Sequence, residues 1–124
     1  MKRFVIAFAA GVVCTLALVA PRPVAQAQTQ FEMNEAEAKN YDKADAELNR
    51  VYAKLIKKLD KEGVAKLKKS QRAWIAFRDA DMAFAADSAR GGSMSPMLYS
   101  GAGAQLTKER TKDLNGYLEE YGGR

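Results

Sequence analysis

The stretch QRAWIAFRDADMAF, residues 71–84, decides how the rest of the chain is read. Gln71, Trp74, Ile75, Arg78 and either Asp81 or Met82 fall at steps of three and four, which is the repeat of one helical face. An arginine therefore shares the face of a tryptophan that should be buried. A buried charge without a partner is very costly. Arg78 is either a polar brace inside the fold or one side of a binding site.

The helix spreads in both directions from this stretch. Upstream, Val64 and Leu67 extend the same face, and Gly63 offers a left-handed stop to a preceding helix. That earlier helix carries Tyr41, Ala44, Leu48, Val51, Tyr52, Leu55 and Leu59 at helical spacing and runs to about Lys61. Asn34, with Glu37 three residues on, reads as its N-cap and reciprocal acid. So short a turn at Gly63 makes the two helices antiparallel neighbours. Downstream, the second helix ends near Ala89, before RGGSMSP. Ser95-Pro96 reads as the N-cap and first turn of a third helix. Its face is Met97, Leu98, Leu106, Arg110, Leu114, Tyr117 and Leu118, with Gly101 and Gly103 expected to weaken or break it early. No run alternates as a strand does. The predicted fold is all-α, a small helical bundle made of a long antiparallel hairpin plus a third helical segment. Its expected core includes Leu48, Tyr52, Leu55, Trp74, Met82, Leu106 and Leu114.

The 124 residues suffice for one domain, and the first part reads as a leader. Lys2 and Arg3 precede the uncharged apolar run Phe4–Ala20, and PRPVAQAQ follows with small residues at Ala25 and Ala27. This is the pattern of a secretory signal peptide covering 1–27 and cleaved after Ala27. A retained membrane helix is the rival reading, but the run only reaches the lower limit for a span. Cys14 follows Val13, which is not the small residue a lipoprotein signal needs. The expected organisation is a leader, a short tail at 28–33 and one helical domain at 34–121, exported to the periplasm or beyond, with no transmembrane segment in the mature chain.

Composition removes most chemistry. The chain has no histidine, and its one cysteine lies in the leader. That excludes the usual histidine-activated nucleophiles and a Cys/His zinc site. Asp42–Asp45 and Asp79–Asp81 lack the glycine and bidentate acid of a calcium loop. A carboxylate pair needs a cleft that separates its pKa values, and a thin bundle rarely offers one. Neither a cofactor nor an enzymatic activity is expected. The formal charge is +5, and without Lys2, Arg3 and Arg22 the chain keeps 17 basic residues against 15 acidic. Acids concentrate in 32–50 and bases in 54–72. The basic stretch reads as a solvated helix face, with anionic envelope polymer as a possible ligand and nucleic acid excluded by export.

The polar residues on apolar faces suggest a brace. Asp45 and Asn49 flank Leu48, Gln71 and Arg78 flank Trp74, and Arg110 lies between Leu106 and Leu114. A network is expected in which Asp45 and Asn49 accept from Arg78 or Arg110. The alternative is an arginine in a groove that grips a partner's carboxylate.

The runs YDKADAELNRVY (41–52), QRAWIAFRDADMAF (71–84), GGSMSPMLYSG (91–101) and LTKERTKDL (106–114) together resemble the LprI-like lysozyme-inhibitor family of small exported bacterial proteins. The likeness covers nearly all of the chain after the leader, in order. It implies a non-catalytic protein that binds and blocks a lysozyme-like muramidase by occluding its cleft. On that reading a protruding element is needed, and Arg90, Ser93, Met94, Ser95, Met97 and Tyr99 are the candidate contact residues. The rival reading makes 90–99 a plain connection whose Met97, Leu98 and Tyr99 enter the core. Family members commonly carry cysteines where this chain has Ala36, Met82 and Ala102. A crosslink closing a loop of about 20 residues contributes about 3 kcal/mol. Its loss leads to the expectation that Met82 packs over Ala102 instead.

Overall fold

A computed structural model describes residues 22–123. It consists of three helices, α1 (Arg22–Ile56), α2 (Lys61–Asp87) and α3 (Ser95–Gly122), with no strand among the described residues. The leader positions 1–21, with Cys14, lie outside them.

Helix α1 begins well before Asn34. Residues 28–33, expected as a tail, are helical, because AQAQTQFEMNEAEA is composed mainly of good helix formers with no breaker after Pro23. Asn34 is thus not a cap. Its amide instead donates to the Ser93 carbonyl at 3.0 Å, tying α1 to the α2–α3 loop. The far end of α1 also differs from expectation. The helix stops at Ile56, and Lys58 N–H and Leu59 N–H close tight turns on Leu55 (2.9 Å) and Ile56 (3.3 Å). Asp60 then takes an extended conformation and accepts from Gly63 N–H at 2.8 Å, capping α2. Gly63 is therefore the third residue of a helix, not a left-handed stop. A Cβ there would lie 3.1 Å from Asp60 Oδ1 and 3.3 Å from Leu59 Cβ, so the tight cap favours glycine.

At the other end, Gly91 holds φ +74, the left-handed conformation glycine adopts without strain. Met94, not Ser95, occupies the N-cap of α3, with Pro96 in the first turn. The Ser95 hydroxyl donates to Ala86 C=O at 3.4 Å. Helix α3 runs unbroken through Gly101 and Gly103. Its buried stripe is Gly103, Ala104, Thr107, Thr111 and Leu114, whereas Leu106 is only half-buried. Small side chains let α3 lie close to its neighbours.

The chain runs up, down and up, so α3 is antiparallel to α2 and parallel to α1. It packs along much of α1 and also against α2, while the backbones of α1 and α2 stay apart. The hairpin is thus joined largely through α3. Leu48, Val51, Leu55, Leu67 and Leu114 form the main core, with Tyr52, Ile56, Leu59, Trp74 and Leu118 packed around it. A buried leucine contributes about 1.5–3 kcal/mol over an exposed one. Nearer the loop, Ala44, Met82, Ala86 and Ala104 make a second buried layer. Met82, rather than Asp81, is the inward residue. Its thioether seats on the backbone notch at Gly103, the neighbour of Ala102: a Cβ on Gly103 would come 2.6 Å from Met82 Cε and 3.0 Å from Tyr41 Cε2.

Candidate functional site

The polar residues on the apolar faces resolve into two separate nodes. In the first, Arg78 is 12% exposed and its Nη1 reaches Asp45 Oδ1 at 3.3 Å. Its Nε donates to Asp79 Oδ1 at 2.9 Å. The guanidinium carbon lies 5.2 Å from the Trp74 ring centroid and 5.6 Å from that of Tyr41. The cation is therefore held by two carboxylates and two aromatic faces. Asn49 donates to Asp45 Oδ2 at 3.4 Å and takes no arginine itself. Burial pushes the Tyr41 hydroxyl above its ordinary value of 10.0, while the nearby Arg78 cation acts in the opposite direction. The phenol stays neutral beside the ion pair.

In the second node, Arg110 Nε donates to Gln71 Oε1 at 3.2 Å and Nη2 to Ser70 Oγ at 2.9 Å. Asp113 sits 3.9 Å from Nη1. Arg110 thus joins α3 to α2 and does not reach Asp45 or Asn49. Ser70, Asp79 and Asp113 complete these nodes and escaped the sequence reading. Each adjoins an identified residue or lies three from one, so local spacing was the available signal. Between the nodes, α1 and α2 leave an open cleft of about 380 Å³ lined by Asp45, Asn49, Tyr52, Lys68, Gln71 and Arg72, among others.

The residues of 90–99 divide by position. Arg90 is exposed and pairs with Asp87, its Nε donating at 2.7 Å. Ser93 is exposed and offers its carbonyl to Asn34. Met94 is 47% and Tyr99 41% exposed. Ser95 and Met97 turn half inward in the first turn of α3. The exposed members do not stand alone. Ser93, Met94 and Pro96 face Gln26, Ala27, Gln30, Phe31 and Asn34 of α1 across an open groove of about 620 Å³. Phe31 is 62% exposed and was missed because its segment read as a tail.

The surface is polarised along the bundle. Val24, Phe31, Met33, Phe77, Phe84, Met94 and Tyr99, all exposed, lie in the half containing the loop. The same half carries Glu32, Glu35, Glu37, Asp42, Asp79, Asp81 and Asp87. The half around the 57–60 turn is net basic: Lys54, Lys57, Lys58, Lys61, Lys66, Lys68, Lys69 and Arg72 outnumber acids such as Asp60, Glu62, Glu119 and Glu120. Tyr117 and Tyr121 are exposed there too. Among the described residues no cluster of side chains could hold a metal ion, and no helix is long and apolar enough to cross a membrane.

Comparison with known proteins fits this architecture to a family. An uncharacterized protein of Rhizobium meliloti (strain 1021), R02472, is 40% identical over 107 residues, covering 76% of this chain and 77% of the relative. No solved structure shows a significant match. The profile described as "Lysozyme inhibitor LprI" matches residues 22–114, which span α1, α2, the loop and most of α3. The chain belongs to the LprI lysozyme inhibitor family.

Proposed function

We propose that the protein is an exported, non-catalytic inhibitor that binds a lysozyme-like muramidase with its loop end and occludes the enzyme's cleft. The reading is supported most by one coincidence: exposed apolar anchors and acidic side chains share the half that contains residues 90–99. Many lysozymes are strongly basic, so an acidic end speeds encounter, and Phe31, Met94 and Tyr99 supply the anchors. The whole chain is mildly basic, but its bases gather at the opposite end. Cleavage after Ala27 would leave α1 starting one turn before Phe31, with the groove wall at Gln30 and Asn34 retained.

The basic end favours a second reading. Lys57, Lys58, Lys68 and Lys69 could hold anionic envelope polymer or lipid headgroups. A muramidase assay with the exported protein, run with enzymes of several classes, separates the two. Inhibition is expected to weaken with added salt and to fall at least about tenfold for Met94→Ala combined with Tyr99→Ala. Reversing the four lysines to glutamate should leave it intact while abolishing binding to anionic polymer. No inhibition and no complex at micromolar concentration would overturn the inhibitor reading.

A further inference from the structure

Helix α2 has a third face that neither node nor core uses. Ala73, Ala76, Phe77, Ala80, Ala83 and Phe84 are all exposed, with Phe77 at 55% and Phe84 at 78%. Their spacing follows the seam of a helix pair, with apolar positions at 73, 76/77, 80 and 83/84. This stripe carries no charge for three turns. It is bounded by Lys69 at its start and Asp87 at its end, both exposed. Such a face on a helix is the signature of a missing partner helix.

We infer that the partner is the same face of a second copy, packed antiparallel about a two-fold axis between residues 78 and 79. Three features on this face agree with that occupant. The axis sets each Phe84 against Ala73 of the other copy and each Phe77 against its Ala80, so large always meets small. All four rings then lie on one side of the seam and interleave along it. The other side holds Ala76 and Ala83, which permits close approach of the backbones. The same axis brings Lys69 opposite Asp87 of the other copy, within one residue of register, twice by symmetry. Asp87 gives up little to join it, since its pair with Arg90 is exposed. A parallel pairing would instead set each Phe level with its own mate across opposite sides of the seam, and Lys69 against Lys69 and Asp87 against Asp87. The two loop ends point away from one another in the antiparallel pair, so the dimer leaves both copies' residues 90–99 open.

Analytical ultracentrifugation of the full protein from micromolar to millimolar concentration tests this without any muramidase, so its outcome is separable from the inhibitor reading. A monomer–dimer equilibrium is expected. Phe84→Glu should weaken it at least about tenfold, with the helical circular dichroism unchanged because Phe84 touches no core. Lys69→Glu should weaken it, and Lys69→Glu combined with Asp87→Lys should restore it. A protein that stays monomeric across the range overturns the proposal, as does a Phe84→Glu variant that dimerises as well as the parent. Failure of the double charge swap to restore association would overturn the antiparallel arrangement.

Discussion

Arg78 sits among groups that each satisfy a different property of the guanidinium. Asp45 and Asp79 take its charge and N–H groups, and Trp74 and Tyr41 cover its flat faces. Asp45 is 43% exposed, so solvent screens part of that pair and the maximal cost of breaking a buried bridge does not apply. Arg78→Ala is expected to cost about 2 kcal/mol, lowering the melting temperature by about 10 °C in a domain of this size. Inhibition at a temperature where the variant is folded should change much less. Arg78→Lys should recover only part of the stability, because an ammonium restores charge but not the stacked plane. Thermal melts and inhibition curves of the three proteins check both statements. That a partner awaited Arg78 was legible from its place beside Trp74. That Asp45, rather than Asn49, pairs with Arg78 depended on the rotation of α1, which spacing alone leaves open.

Among elements, α3 departs most from what its sequence suggests. Gly101 and Gly103 look like breakers, yet the helix passes through both. Helix-breaking tendency is weak for an isolated glycine, about 1 kcal/mol, and packing overrides it. At Gly103 the missing side chain is the space into which Met82 fits. Gly103→Ala should therefore destabilise by about 1–3 kcal/mol despite alanine's better helix propensity. In a Met82→Ala background the same change should cost much less, since only the looser contact with Tyr41 then remains. Denaturant titrations of the four proteins give the coupling; additive effects would show that the two residues do not interlock. The helix count and the approximate place of each connection could be read from periodicity and turn residues, but not the caps, which fall on Asp60 and Met94 instead of Gly63 and Ser95. The buried stripe of α3 could not, because Thr107 and Thr111 look less like core than Leu106 does. They are buried because a close three-helix junction selects for size before polarity. Similarly, the start of α1 was hidden because AQAQTQF carries helix propensity without an apolar face, so periodicity gives no sign of it.

At the scale of the whole molecule, the bundle keeps its three surfaces apart. Its loop end is acidic and apolar, its turn end is basic, and the outer side of α2 is uncharged over three turns. Composition showed the charge separation along the chain, but only the up-down-up path turns it into a separation in space. Residues 32–42 and 79–87 are distant in sequence and share one end because α2 returns antiparallel to α1. With α1 and α2 apart, the packing of α3 on both is what closes the structure.

Met82 gives that closure a chemical reporter. It is 1% exposed, whereas Met33 and Met94 are 41% and 47% exposed. Under mild peroxide the two outer sulfurs should convert to sulfoxide first, and the inner one more slowly, in proportion to the fraction of molecules in which α2 has lifted from the Gly103 notch. Peptide mass spectrometry over time would read that lag as the open population, and equal rates at all three sites would show that the notch is open. Once oxidised, Met82 is too polar to return to the notch, so its thioether is a latch that oxidation opens, and its burial sets how long the fold survives oxidant.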